Sequence, residues 1–251
     1  MLNTAKNPIV FAGASLGNLS PAQKRRLVVR PPVRRGDLIK LTESESPGTI
    51  VLIDGLFNST LAVTPAECRE ALNAGWRLIG ASSMGALRAS ELWPAGMIGI
   101  GHIFTLFRLG ILRSDADVAV ALHPQTFEEA TASIVHIRSV LFHLEVQRTL
   151  SPALARKLLL LARSIHWYDR DWEAVFILWR NAGLDSDMLT AASLCARNPL
   201  LHPKKIDAHL AINSILAYRW VDSRMIVESE EQTDDPAAVT LASGYRSPQQ
   251  F

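Results

Sequence analysis

Trp76-Arg77-Leu78-Ile79-Gly80-Ala81-Ser82-Ser83-Met84-Gly85-Ala86-Leu87-Arg88 decides the fold. Trp76 to Ile79 has the length and apolar composition of a buried strand. Gly80 to Gly85 is a turn of small residues, and Ala86, Leu87, Arg88 and Glu91 follow on a helix. Strand, tight turn and helix make the first part of a parallel crossover. The order recurs upstream. Ile9 to Ala12 is an apolar run that ends in Gly13-Ala14-Ser15-Leu16-Gly17-Asn18-Leu19, and Ser20-Pro21 then caps a helix. Ile50 to Ile53 ends at Asp54-Gly55, and Thr64-Pro65-Ala66-Glu67 opens the next helix as a capping box. Asn73-Ala74-Gly75 closes that helix on a glycine suited to the left-handed cap. A fourth run, Val118 to Leu122, reads as a further strand ending at His123-Pro124, and Gly99 to Leu109 reads as a helix.

Strands alternating with capped helices predict an α/β fold with a small, doubly wound, mainly parallel sheet of the Rossmann or flavodoxin kind. Continuous apolar strands agree, because parallel strands are buried on both faces. Beyond Pro124 the pattern turns helical: 127–149, 152–165, 171–182, 187–197 and 203–227 all read as helices. Trp167, Trp172, Trp179 and Trp220 fall there and read as fillers of helix–helix contacts. The expected organisation is an α/β domain over 1–124, a helical region over 125–227 and a polar tail over 228–251.

The chain has 251 residues, 48% of them hydrophobic and 20% charged, with a net charge of +2. That composition suits a globular core and gives no overall field for nucleic acid or an anionic membrane. Lys24, Arg25, Arg26, Arg30, Arg34 and Arg35 form a local basic cluster that can serve as a contact surface. Cys68 and Cys195 lie far apart, without a Cys or His at metal-ligand spacing. The sequence therefore predicts no disulfide framework, no zinc site and no cofactor. Cys68 reads as a small buried hydrophobe. With no apolar run of signal-peptide or bilayer length, the expected location is the cytoplasm.

Ligands of open α/β sheets bind outside the carboxyl ends of the strands. Gly13 to Asn18, Asp54-Gly55 and Ser82-Ser83 fall at such ends, and His123 joins them if its strand is parallel. Ala81-Ser82-Ser83-Met84-Gly85 resembles the G-x-S-x-G nucleophile elbow, with Ala81 in place of the first glycine. Helix amides after the turn suit a developing oxyanion. The competing reading is that Ser82 or Ser83 only caps the helix. A serine nucleophile needs a base. His123 is the first candidate and His102 the second, with Asp54 to orient the base or to bind a hydroxyl or a metal. Asp54-Gly55 is equally a favoured turn pair. Gly13 to Gly17 can cradle an anion on backbone amides, though it lacks the P-loop lysine. Arg30, Arg34 and Arg35, in a loop set by Pro31-Pro32, can grip a carboxylate or phosphate.

These residues resemble the TfuA-like core domain. The stretches that carry the resemblance are Val10 to Gly13 with Ser15-Leu16, Val29 to Pro32 with Arg34 to Asp37, Ile53 to Gly55 with Phe57, Gly80 to Ala89 with Glu91-Leu92, Gly96-Met97 with Gly99 and Gly101, and Val118 to Val120 with His123. The sequence departs from the family pattern near Val63 to Glu67, where relatives carry Trp-His-Lys-Glu and this chain has proline and alanine for histidine and lysine. The resemblance implies partnership with a YcaO-type enzyme, an ATP-dependent cyclodehydratase or thioamide synthetase acting on a precursor peptide or protein. A sulfur-carrier protein is the implied donor. On that reading Ser83, or Ser82, attacks the carrier's thiocarboxylate and His123 assists proton transfer. Asp54 completes the catalytic set, while Gly13, Ser15, Ser82, Gly85, Arg30, Arg34 and Arg88 bind substrate. The chain is then a candidate serine-dependent thiocarboxylate hydrolase. The alternative is a non-catalytic adaptor that binds the YcaO enzyme and the sulfur donor. A third reading, nucleotide binding at Gly13 to Gly17, duplicates the ATP chemistry of the partner.

Overall fold

The structure is a computed structural model that describes residues 6–57, 61–126 and 128–217. Its described residues up to Leu216 form one compact unit. The first part is a five-stranded, all-parallel sheet in the order β2-β1-β3-β4-β5. Its strands are β1 (Ile9–Phe11), β2 (Val28–Arg30), β3 (Thr49–Leu52), β4 (Arg77–Ala81) and β5 (Ile98–Ile100), with α1 (Pro21–Lys24), α2 (Asp37–Ser44), α3 (Pro65–Asn73) and α4 (Met84–Leu92) in the crossovers. This is the flavodoxin-type order, whose switch point lies between β1 and β3. The helical half comprises α5 (His102–Arg108), α6 (Ile134–Val146), α7 (Pro152–Ser164), α8 (Trp172–Asn181), α9 (Ser186–Arg197) and α10 (Pro203–Ala217). The predicted α/β class with a helical second half is the one observed.

Strand alternation explains the two layers. Ile9, Phe11, Ile50, Leu52 and Leu78 point to one face and pack with Leu38, Leu41, Cys68, Ala71, Met84 and Ala89 from α2, α3 and α4. Val10, Val51, Ile53 and Ile79 point to the other, where Leu16, Leu19 and Leu27 meet Ala208, Ile212 and Ile215 of α10. The last described helix therefore returns to cover the sheet. A separate cluster binds α6 to α9 around Trp179, whose indole N–H donates to the Leu158 carbonyl at 3.1 Å. Trp172 stacks on Phe176 at 5.4 Å, as a contact filler should, whereas Trp220 and the 228–251 tail lie outside the described residues.

The capping box expected at Thr64/Glu67 forms, and the expected Ser20 cap forms a second box with Gln23. Four expectations fail. Gly99 to Leu109 is not one helix: Ile98–Ile100 is β5, and Gly101, at φ 101°, breaks the chain before α5. Val28–Arg30, of which Arg30 is expected in the proline-set loop, pairs in register with β1. Val118 to Leu122 is not a parallel strand. A 3₁₀ turn at Asp115–Asp117 precedes it, the Ala121 amide donates to the Thr131 hydroxyl at 2.8 Å, and Leu122 makes a lone antiparallel bridge to Glu129. A short apolar run alone does not distinguish a strand from an irregular buried segment. The segment read as a helix from residue 127 becomes helical only at Ile134, and Phe127 itself lies outside the described residues.

Candidate functional site

The switch point gathers the turns after β1, β3 and β4. Asp54, just past β3, turns its carboxylate into the Gly13–Ser15 loop. Its Oδ2 accepts from the Gly13 amide at 2.7 Å and the Ser15 amide at 3.0 Å, and its Oδ1 accepts from the Ser15 hydroxyl at 2.6 Å. The anion cradle foreseen in the glycine loop thus holds an internal anion, which removes the ground for reading it as a nucleotide site. Burial raises the pKa of Asp54, against the opposing pull of the Ser15 hydroxyl, the Lys204 charge and the two amides.

The Ser82–Gly85 turn lies against the end of β3, where the amides of Ser83 and Gly85 both donate to the Ile53 carbonyl at 3.3 Å. This approach explains the glycines. A Cβ on Gly85 would run into the Leu52 carbonyl, and one on Gly80 into the carbonyl of Gly85. Ser82 takes φ 67°, a left-handed conformation that is strained for a residue with a side chain. Its hydroxyl is buried without a hydrogen-bond partner. Ser83 occupies the N-cap position of α4, yet its side chain makes no capping bond. The two serines thus do not serve as plain caps, and the elbow-like backbone belongs to Ser82.

His123 lies elsewhere. It is exposed, and its amide donates to the Glu128 carbonyl at 2.9 Å next to the antiparallel bridge. Among the described residues no histidine hydrogen-bonds to Asp54, Ser82 or Ser83, so no triad is assembled. His102, also exposed, follows β5, and its amide is held by Asp207 at 2.9 Å. The arginines are engaged in different ways. Arg30 pairs with Glu45 at 2.9 Å, and Arg88 donates to the Val63 carbonyl at 2.8 Å and pairs with Glu91 at 2.7 Å. Arg34 is exposed, and its amide is held by the Asp37 carboxylate at 2.8 Å. A hollow of about 310 Å³ opens beside Leu16, Gly17, Lys24 and Val29. Another of about 260 Å³, at Lys6, Ile9, Glu45 and Trp76, lies at the amino ends of the strands, away from these turns. Cys68 is inert: burial pushes its thiol up to about 12.

Sequence reasoning missed a second polar cluster. Glu129 accepts from Lys204 at 3.0 Å and meets His202 at 3.1 Å, while the His136 ring lies 4.0 Å from that of His202. Lys204 is 1% exposed and also acts electrostatically on Asp54, so charge links the two clusters. Burial alone would raise the pKa of Glu129, but Lys204 and His202 outweigh it and hold the carboxyl well below its usual range. Burial drives His136 down to about 3, which leaves it neutral at pH 7. The only sequence hint was a histidine inside the apolar Ile134-Val135-His136-Ile137 run.

Fold and strand-end turns define an α/β protein of flavodoxin-type order with its polar residues gathered at the switch point. Residues 54–171 match the family model described as TfuA-like protein, so the chain carries a TfuA-like region over just under half its length. The match opens at Asp54, includes the Ser82–Gly85 turn, and runs through Glu129 and His136. No curated protein matches the chain. Among the described residues no helix is long and apolar enough to cross a membrane.

Proposed function

We propose that the chain is an accessory protein of YcaO-dependent backbone thioamidation, which supplies sulfide to the YcaO enzyme from a thiocarboxylated sulfur-carrier protein. The TfuA-like match over 54–171 carries this reading. For the chemistry, the supporting observation is Ser82, a buried, unpartnered hydroxyl on a left-handed strand-to-helix turn. Strain and an unmet hydroxyl each cost stability, and such outliers collect at functional sites. In the hydrolytic route the Ser82 oxygen attacks the thiocarboxylate carbon. The carbon–sulfur bond breaks, and the serine proton leaves with sulfur as hydrosulfide. Water then cleaves the ester, returning the carrier carboxylate and the serine.

The adaptor reading has its own support. Ser82 is fully buried, and two amides at the helix start already serve the Ile53 carbonyl. In this state the hydroxyl is closed to a carrier tail, so hydrolysis requires the partner to open the turn. The test is sulfide release from a thiocarboxylated carrier, with and without the YcaO enzyme, by wild type, Ser82→Ala, Ser83→Ala and His123→Ala. Release lost in Ser82→Ala and kept in His123→Ala supports hydrolysis at Ser82. No release, with YcaO binding and stimulated thioamidation retained, selects the adaptor. Neither binding nor stimulation removes the proposal.

A further inference from the structure

We propose that Glu129, His136 and His202 bind a divalent transition-metal ion of the zinc class. One ligand atom from each residue lies within 4.8 Å of the others. Two imidazoles and a carboxylate are a zinc donor set that leaves a fourth position open. Both histidines are more than nine-tenths buried, and His136 Nε2 has no hydrogen-bond partner. A cluster built only to tie helices together closes its hydrogen bonds, because an unmet buried nitrogen is costly. This nitrogen is left unmet on a ring that lies 4.0 Å from that of His202.

The spacing and charge fit an ion. His202 Nε2 and Glu129 Oε2 are 3.1 Å apart. Two ligands on a tetrahedral zinc sit about 3.3 Å apart. His136 offers its ligand atom within 4.8 Å of the other two. Lys204 holds the other carboxylate oxygen, Oε1, at 3.0 Å and so fixes Glu129 from behind without taking Oε2. Glu129 and Lys204 cancel, so a bound dication keeps its charge. The remaining positive charge favours a small anion in the open position. Sequence spacing hid this site, since its ligands come from the segment before α6, from α6 itself and from the start of α10.

The test uses the full-length chain without a polyhistidine tag, stripped by chelator and dialysed. Zn²⁺ uptake is followed by calorimetry and elemental analysis, and Co²⁺ by its visible absorption. Wild type is expected to take up about one equivalent with tetrahedral cobalt bands. His136→Phe and Glu129→Gln, checked for folding by circular dichroism, should bind at least about tenfold more weakly. His202→Asn replaces whichever variant does not fold. Wild type that binds neither ion, or folded variants that bind as wild type does, would overturn the site. The measurement needs no YcaO enzyme, so the site and the proposed function stand or fall separately.

Discussion

The two buried polar clusters were built in opposite ways. At the switch point, Asp54 meets three donors from a loop that follows the neighbouring strand, so its charge is matched by the topology itself. In the helical half, Glu129 is matched by Lys204 from α10 and by His202 just before it, far along the chain, and two imidazole nitrogens stay unmet. The first cluster follows from where parallel strands end. The second exists only because α10 returns to the sheet. A polar group can therefore be satisfied by local topology or by long-range packing, and the sequence reveals the first kind far more readily.

Removing the geometry under the first cluster should have the largest effect. Gly85→Ala puts a methyl group into the Leu52 carbonyl, where backbone must move. The expected outcome is a loss above about 4 kcal/mol or no folded protein, read by urea unfolding. Lys204→Met tests the second cluster by leaving Glu129 buried with only His202 beside it. Breaking a buried pair from one side costs about 3–5 kcal/mol. Adding Glu129→Leu should recover most of that loss, because a fully apolar replacement of a buried pair is close to neutral. If the double variant is no better than the single, the His202 contact alone is enough to hold Glu129. Ser15→Ala is milder. It removes one hydroxyl donor from a buried carboxylate that keeps two amides, for about 1.5–3 kcal/mol.

The parts that were legible were those fixed by neighbours in sequence. Thr64 to Glu67 spelled a capping box and formed one. The small residues of Gly80 to Gly85 announced a tight strand-to-helix turn, although the strained conformation fell on Ser82, one residue before the favoured Ser83. Where side chains carry little pattern, the reading failed. In Met97-Ile98-Gly99-Ile100-Gly101 the glycines hid β5, whose Gly99 leaves space for the Phe104 ring. Val118 to Val120 has the apolar run of a strand because it is buried and not because it is paired, and Val118 packs with Ala86, Ile103 and Leu106. The strand edge that would make His123 a base is not there, while Glu129, opposite Leu122 on the same bridge, carries the buried charge. His136 and His202 meet only through tertiary packing, which no spacing rule reaches.

The smallest effect sharpens the contrast most, because it asks what the matched charge at the switch point costs. Asparagine is nearly isosteric with aspartate. In Asp54→Asn the side-chain oxygen can accept from the Gly13 and Ser15 amides, and the new amide group can donate to the Ser15 oxygen. The substitution should therefore change stability by about 1 kcal/mol or less at pH 7. The pH dependence carries the information. Burial raises the Asp54 pKa in the folded chain above its ordinary value of 3.8. The folded protein then keeps that proton to a higher pH than the unfolded chain does. The stability this gives is complete below pH 3.8 and is lost as pH rises through the folded pKa. Relative to Asp54→Asn, wild type should gain stability as pH falls from about 7 towards about 4, read as the difference between their urea midpoints. A constant difference across that range would mean that the two amides, the Ser15 hydroxyl and Lys204 fully offset the burial of the charge, and that the cradle holds a carboxylate as readily as water does.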